Sequence, residues 1–243
     1  KAGVAPTPRG FGQGNYNDAL AEKLADVGDG NHAYIDNLME GRKVLVEEMG
    51  STLLTIASDV KIQVEFNPAQ VAEYRLVGYE NRTLAREDFN NDQVDAGEIG
   101  AGHDVTALYE VCLVGMGCES SDPLRYSAPA AAGPKGSELA FLKLRYKRPG
   151  EDKSVLMERP VTRGDVRTEA SEDLRFAAAV AAYADLLRGG RHSNGFTWDQ
   201  VEALARGARG NDAWGYRGEF LQLLAQARSL SPARDPDVAI SQD

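Results

Sequence analysis

The sequence predicts an α+β protein made of a short α/β stretch, then an antiparallel β-sandwich, then a small helical bundle. Three observations predict it. Residues 1–57 alternate between helical and strand patterns, residues 58–165 carry apolar side chains at every second position, and residues 166–231 return to helical spacing. A polar tail over residues 232–243 follows. Each change of pattern is expected to mark a domain boundary.

The first part has the strand and helix rhythm of an α/β layer. A helix is predicted over residues 17–27, where apolar residues recur at helical spacing, and a short strand over residues 32–36, around Ala33, Tyr34 and Ile35. A longer helix is predicted over residues 38–57, with Asp36 or Asn37 able to cap its first turn.

The second part shows the period of two that is typical of half-buried strands. In its first strand, one set of side chains is expected to face the core and the alternating set to face solvent. The core set is Val60, Ile62, Val64 and Phe66, and the solvent set is Lys61, Gln63 and Glu65. Further strands are predicted within residues 71–79, 105–113, 139–146 and 154–161. Residues 81–102 and 115–137 are predicted to be long loops.

The third part is predicted to hold three helices. Ser171 can cap the first, which ends before Gly189 and Gly190, and Thr197 with Gln200 forms a capping-box pattern for the second. Three aromatic residues are expected to seal the helical cluster rather than form an exposed patch. They are Trp198, Trp214 and Tyr216.

The net charge of −10 argues against two classes of partner. Binding of nucleic acid requires a basic surface that releases counterions, and an anionic membrane surface requires the same sign of charge. The chain also contains no apolar run near the ~20 residues that a membrane span needs. We therefore expect neither nucleic acid as a partner nor a transmembrane segment in this chain.

The two cysteines, Cys112 and Cys118, do not form a CxxC redox or zinc pattern. They can be a local disulfide or two free thiols. The sequence favours free thiols, because a bridge that closes so short a loop contributes little to a chain of this size. Cysteine usage leaves the compartment open.

Motifs of catalytic or cofactor chemistry are absent from the sequence, which has no GxSxG, HExxH or Walker loop. The GxGxG that begins at Gly10 lacks the spacing of a dinucleotide site, so a tight turn after a strand is favoured. The three histidines are scattered, and surface positions or local hydrogen bonds are favoured over metal binding or catalysis. They are His32, His103 and His192. We predict no catalytic residue and no cofactor in this chain.

One acidic loop is a weak candidate for calcium, because hard cations prefer several oxygen ligands. Its members are Asp88, Asn90, Asp92, Asp95 and Glu98. An EF-hand template that begins at Asp88 fails, because Gln93 stands where glycine is required and Ile99 where glutamate is required. A solvated acidic loop is the favoured interpretation.

Several longer stretches resemble a known family. They are GFGQGN at residues 10–15, GNHAYID at 30–36, DVKIQVEFNPAQVAEYRLVGYENR at 59–82, EDFNNDQVDAGEIGAGHDVTALYE at 87–110 and SELAFLKLRYKRPG at 137–150. Together they resemble the carboxy-terminal portion of bacterial von Willebrand factor type A domain proteins, often labelled Ca-activated chloride channel homologues. The resemblance implies that residues 1–57 are the end of a type A domain, followed by a domain of unknown function.

The resemblance also implies that residues 1–57 are incomplete. The DxSxS motif, through which the family's type A domain holds a divalent cation, is not in this chain, so a cation is expected only in an upstream part and the chain is expected to be a fragment. An incomplete sheet should leave an exposed edge and an apolar face. These residues must pack on the sandwich, pair with another chain or be loose, and we expect a homodimer or swapped contact through them.

These observations favour a non-enzymatic protein-interaction or assembly module whose protein partner is unknown. The alternative is a structural support that holds a cation-dependent adhesion domain at the cell envelope, and an enzyme is the least favoured class. The resemblance implies the bacterial envelope, the periplasm or the extracellular space, with the cytoplasm left open. A channel is not indicated, because no membrane-spanning segment is present in the sequence given.

Overall fold

The computed structural model describes residues 7–12, 14, 16–28, 30–50, 54–78, 84–94, 96–119, 136–190 and 196–231. In this part of the chain the protein is a mixed α+β structure that divides into two compact units. One unit takes in residues 1–74, 81–106 and 111–165, and the other takes in 75–80, 107–110 and 166–243. The boundaries proposed from the sequence pattern stay a prediction. The tail at residues 232–243 lies outside the described residues.

The amino-terminal elements are two short strands that flank a helix. Strands β1 (Arg9–Phe11) and β2 (Ala33–Ile35) pair in parallel, and helix α1 (Asp18–Val27) connects them. Parallel neighbours require such a crossover, because a tight turn cannot return the chain to the same end of the sheet. The predicted helix and strand are therefore both present.

Helix α2 is much shorter than predicted. It covers Leu38–Arg42 and continues as a π-helical turn over Lys43–Glu47, with the side chain of Asn37 accepting the Glu40 N–H at 2.9 Å as a cap. The predicted helix over residues 38–57 is wrong at its end, since strand β3 begins at Thr55. The β-branched pair Thr55 and Ile56 favours a strand over a helix, which accounts for the error.

The largest sheet has four antiparallel strands in the order β5-β3-β7-β8. The strands are β3 (Thr55–Phe66), β5 (Gly97–Gly100), β7 (Glu138–Lys147) and β8 (Val155–Thr162). Strands β4 (Val71–Val77) and β6 (Leu108–Leu113) form a separate two-stranded sheet. Strand β5 lies inside the predicted loop over residues 81–102. Two of its four residues are glycines, so the alternation of apolar and polar side chains that indicates a strand is not visible there. The sandwich arrangement stays a prediction.

In β3, the exposure of Lys61 and Ile62 is the reverse of the prediction. Lys61 is 3% exposed, whereas Ile62 is 48% exposed. The reason is a 3-10 turn at Arg86–Asn90, whose Phe89 is buried and whose Asp88, together with the following Asn91, offers carbonyl oxygens. The Lys61 ammonium donates to the carbonyl oxygens of Asp88, at 3.4 Å, and Asn91. These acceptors replace the water that a buried ammonium loses.

The carboxy-terminal helices form a separate apolar core. They are α3 (Glu172–Leu187), α4 (Trp198–Gly207) and α5 (Tyr216–Leu230). Their buried contacts are made by Ala179, Val201, Ala205, Leu221 and Leu224. The predicted caps are confirmed: Ser171 accepts the Leu174 N–H at 3.2 Å, and Thr197 with Gln200 makes the reciprocal capping box.

The aromatic residues of this core behave differently from one another. Tyr183 makes edge contacts with Trp198 at 6.1 Å and with Phe220 at 5.2 Å between ring centroids. Trp214 is 51% exposed and does not seal the cluster. The prediction is therefore correct for Trp198 and wrong for Trp214.

Asp212 fixes the start of α5. Its carboxylate is 4% exposed, accepts the backbone N–H groups of Arg217 and Gly218 at 2.9 and 2.8 Å, and pairs with Arg209 at 3.1 Å. Burial pushes the pKa of Asp212 up, but these hydrogen bonds and the Arg209 charge outweigh it and lower the pKa. The side chain thus satisfies N–H groups that a helix start leaves without partners.

Across the described ranges, none of the helices is both long and apolar enough to span a bilayer.

Replacing Lys61 by methionine tests the buried lysine. The change keeps the side-chain length but leaves the carbonyl oxygens of Asp88 and Asn91 without their donor, so we expect faster amide exchange over residues 86–94. We also expect the free energy of unfolding to fall by about 1–3 kcal/mol. Hydrogen exchange and urea denaturation measure the two effects. The exposed Lys153, changed to methionine, is the control, and equal effects of the two changes would contradict the assignment.

Replacing Asp212 by asparagine tests the start of α5 through its pH dependence. Because the folded pKa of Asp212 is lowered, the carboxylate stabilises the protein above pH ~4, its unfolded value, and this contribution is lost as pH falls through the folded pKa. We expect D212N to lower the melting temperature at pH 7 and to lose part of the acid sensitivity below pH ~4. Thermal melts across pH check this, with the exposed Asp104 changed to asparagine as the control.

Candidate interaction surface

The β1-α1-β2 segment contains the surface with the greatest functional interest. In the β1–β2 pair, Gly10 lies beside Tyr34 and Phe11 beside Ile35. Few side chains of this segment are buried, and among them are Ala25 at 3%, Ile35 at 8% and, from the following turn, Val44 at 2% exposure. Two parallel strands and one helix therefore enclose a very small core.

Tyr16 organises the turn that follows β1. Its ring covers Gly10 so closely that a Cβ atom on Gly10 would lie 2.2 Å from the ring carbon Cε2. The same ring packs against Tyr34 at 4.9 Å between centroids, and the Tyr34 hydroxyl donates to the Gly12 carbonyl oxygen. Gly12 has φ +83°, a conformation that glycine adopts at little cost. This positive φ agrees with the predicted turn after the strand, of which residues 13 and 15 lie outside the described residues.

A groove of about 370 Å³ opens between this turn and α1. Most of its lining is apolar, and the lining residues are Pro8, Phe11, Gly12, Tyr16, Asn17, Leu20, Ala21 and Leu24. The Tyr16 hydroxyl oxygen is buried and has no hydrogen-bond partner among the described residues. An occupant that offers an acceptor there would satisfy this hydroxyl.

Apolar side chains around the groove are exposed to an unusual degree. Phe11 is 62% exposed, Leu24 54% and Val27 71%. The next elements add more: Leu38, Met39, Leu45, Val46 and Met49 are each at least 44% exposed. An exposed apolar patch of this kind marks an interaction site in a stable protein. The predicted apolar surface is therefore present in the described part of residues 1–57.

The acidic loop that was a calcium candidate is paired with cations of the protein itself. Asp88 contributes its carbonyl oxygen to Lys61, and the Asn90 side chain accepts from Arg145 at 3.0 Å. The Arg145 guanidinium also lies 5.7 Å from the centre of the Phe89 ring. Lysine and arginine groups thus bind one carbonyl oxygen and one amide oxygen of this loop, and both are types of oxygen that calcium takes as ligands.

A second part of this network joins Asp92 to β7 and β8. Ser154 donates to the Asp92 carboxylate at 2.5 Å, and Lys147 donates to the Asp92 carbonyl oxygen at 2.9 Å and to Asp59 at 2.6 Å. The Ser154 hydrogen bond, opposed by burial, lowers the pKa of Asp92. The Asp59 hydrogen bond, again opposed by burial, raises the pKa of Lys147. Both groups are therefore held in their charged forms at neutral pH.

The remaining candidates do not converge on a common centre. Glu98 lies in β5, and Asp95 is outside the described residues. His32 lies 3.4 Å from Asp18, whereas His192 is outside the described residues. His103 lies in the turn after β5. Within the described ranges, the histidine, cysteine and acidic side chains form no group of three that could hold a metal ion. The calcium hypothesis stays a prediction.

Sequence reasoning missed two residues of these sites. Asp59 has φ +51° at a bulge in β3 and accepts the Ala96 N–H at 3.3 Å, a role that a period-two pattern cannot indicate. Tyr16 is the other, because the glycine pattern before it does not indicate which side chain lies against Gly10. An aromatic residue directly after a glycine-rich turn is the signal that could have found it.

The favoured interpretation of the cysteines is wrong. Cys112 and Cys118 form a disulfide, with 5.7 Å between their Cα atoms. The intervening loop contains Gly115 and Gly117, both with positive φ, which lets the chain turn back sharply enough to bring the two sulfurs together. A short loop predicts little stabilisation from a bridge, but it does not prevent a bridge that this turn geometry allows.

Comparison with known proteins gives a family and one curated relative. The family described as "Uncharacterized protein YfbK, C-terminal" matches residues 51–230. The "Uncharacterized protein YfbK" of Escherichia coli strain K12 is 48% identical over 233 residues, which are 95% of this chain and 40% of that protein. The chain thus spans well under half the length of this relative. No solved structure matches.

Calorimetry with calcium tests the acidic loop. Because Lys61, Arg145 and Lys147 already donate to oxygen atoms of this loop, we expect no heat of binding with the native chain at neutral pH. Replacing Lys147 by methionine should raise the affinity for calcium, since it removes the cation shared by Asp59 and Asp92. The same change at the exposed Lys153 is the control. Saturable heat with the native chain would establish a calcium site.

Proposed function

Since the chain belongs to the family of YfbK carboxy-terminal domains, we propose that it is a non-enzymatic assembly module, and that its β1-α1-β2 segment is the closing part of a von Willebrand factor type A domain. The observation that carries this proposal is the exposed apolar surface around the groove. A single parallel strand pair is too small to cover its own helix, so this surface requires further structure.

The proposed occupant is another stretch of the same longer polypeptide, which adds a parallel strand beside β1. Two features support this choice. The β1–β2 sheet has two strands in the described structure, so each has an edge that can accept another strand. The E. coli relative also extends well beyond the part that this chain matches, which gives room for the rest of an α/β sheet. An apolar strand suits the groove, since its lining is mostly apolar.

The charge network on the four-stranded sheet is assigned a structural role in this proposal. General acid–base catalysis needs groups that gain and lose protons near the working pH. Here the pKa of Asp92 is lowered and that of Lys147 is raised, so both shifts oppose proton transfer at neutral pH. The network holds the 86–94 loop against the sheet and thereby stabilises the scaffold.

The Cys112–Cys118 disulfide supports a location outside the reducing cytoplasm, because disulfides persist in the bacterial periplasm and at cell surfaces. This agrees with the envelope location that the resemblance implies. In that setting the module would hold its type A domain at the envelope.

A chimera tests the proposed assembly. In the chimera, this chain replaces the matched part of the E. coli protein, so that the remaining sequence can cover the groove. We expect the backbone amides of β1 and α1 to exchange at least about tenfold more slowly in the chimera than in the chain alone, because burial removes local opening. Hydrogen exchange measured by mass spectrometry reads this out.

Two variants of α1 provide the matched comparison. Leu24→Asp places a charge in the groove and should abolish the added protection in the chimera, whereas Lys23→Asp, at the exposed neighbouring position, should preserve it. Equal exchange in the chain alone and in the chimera would overturn the proposal. Protection that already exists in a dimer of the isolated chain would assign the surface to a second copy instead.

A further inference from the structure

The disulfide lies at the end of β6 and joins two sulfurs with very different surroundings. Cys112 is 7% exposed, whereas Cys118 is exposed. Between them the chain turns at Gly115 and Gly117, with φ +84° and +65°. Outside reagents therefore reach the bond from the Cys118 side.

Two backbone hydrogen bonds hold this loop in place. The Val114 N–H donates to the Gln70 carbonyl oxygen at 3.0 Å, and the Met116 N–H donates to the Leu113 carbonyl oxygen at 3.1 Å. The side chains of Val114 and Met116 are 43% and 69% exposed, so apolar burial contributes little to the order of this loop. The covalent bridge is consequently a major constraint on residues 113–119.

We propose that the Cys112–Cys118 disulfide is a thiol-exchange site, opened by dithiol reductants at Cys118, that controls the order of the loop at residues 113–119. The thiolate of the reductant attacks the Cys118 sulfur, a mixed disulfide forms, and the Cys112 thiolate leaves and takes up a proton. The second thiol of the reductant then releases Cys118 as a thiol. Two electrons and two protons pass to the protein, and the reductant becomes a disulfide.

Reduction removes the covalent link but leaves the β-sheets intact. The sulfur of Cys112 can remain buried as a small apolar group. The Cys118 end of the loop loses its attachment to β6. Of the contacts described above for the chain after Leu113, the two backbone hydrogen bonds then remain. An environment in which disulfides form is therefore needed to keep the loop ordered. This site lies outside the β1-α1-β2 segment, so its test is separate from that of the assembly.

Hydrogen exchange of the oxidised and dithiothreitol-treated full chain tests the site. We expect amide exchange over residues 113–119 to rise at least about tenfold on reduction, as expected when a loop-closing bond is removed. Exchange in β3, β7 and β8 should not change. In the reduced chain, iodoacetamide should alkylate Cys118 before Cys112, because of the difference in exposure.

The Cys118→Ser variant provides the control for the reductant. It should show the fast exchange of the reduced chain in the absence of dithiothreitol, and dithiothreitol should have no further effect on it. Unchanged exchange over residues 113–119 after reduction would overturn the proposal. Two freely alkylated thiols in chain purified from an oxidising compartment would overturn it as well.

Discussion

The pairing of β3 with β7 brings two cations together, and the surrounding loop must accommodate them. It places Lys61 directly opposite Arg145, so that two cations face each other on one side of the sheet. Like charges in this position are unfavourable unless other groups neutralise or solvate them. The loop at residues 86–94 supplies carbonyl and amide oxygens to both. The acidic and amide residues of this loop are thus part of the sheet's stability.

The β1-α1-β2 segment has the opposite arrangement. Phe11, Leu24 and Val27 are each more than half exposed, and the buried side chains of the segment are small in number. The four-stranded sheet also exposes apolar side chains, among them Ile62 at 48% and Met157 at 54%. What distinguishes the sheet is the loop that covers its buried lysine. In the proposed assembly, the apolar surface of the small parallel sheet would be buried by additional chain.

The sequence indicated elements that depend on local chemistry. The caps at Asn37 and Ser171 and the capping box at Thr197 follow from side-chain hydrogen bonds within one turn, which a sequence shows directly. Errors arose where distant residues decide the outcome. Lys61 is buried because a distant loop covers it. The loop contains Asp88, which lies 27 residues further along the chain. The disulfide likewise depends on a turn geometry that cysteine spacing does not reveal. The sequence predicted an exposed apolar face. The place of Tyr16 in the groove could not be predicted, because it depends on the packing of the ring against Gly10.

The contact between Tyr16 and Gly10 restricts how the two parallel strands can align. The tyrosine ring occupies the volume where a side chain at position 10 would be. A shift of β1 by one residue relative to β2 would bring Arg9 or Phe11 under the ring, and neither fits there. Short strands are usually free to slip in register, because few hydrogen bonds oppose the movement. Here a single missing Cβ atom favours one alignment, so in the proposed assembly a three-residue strand would meet an incoming segment at one defined position.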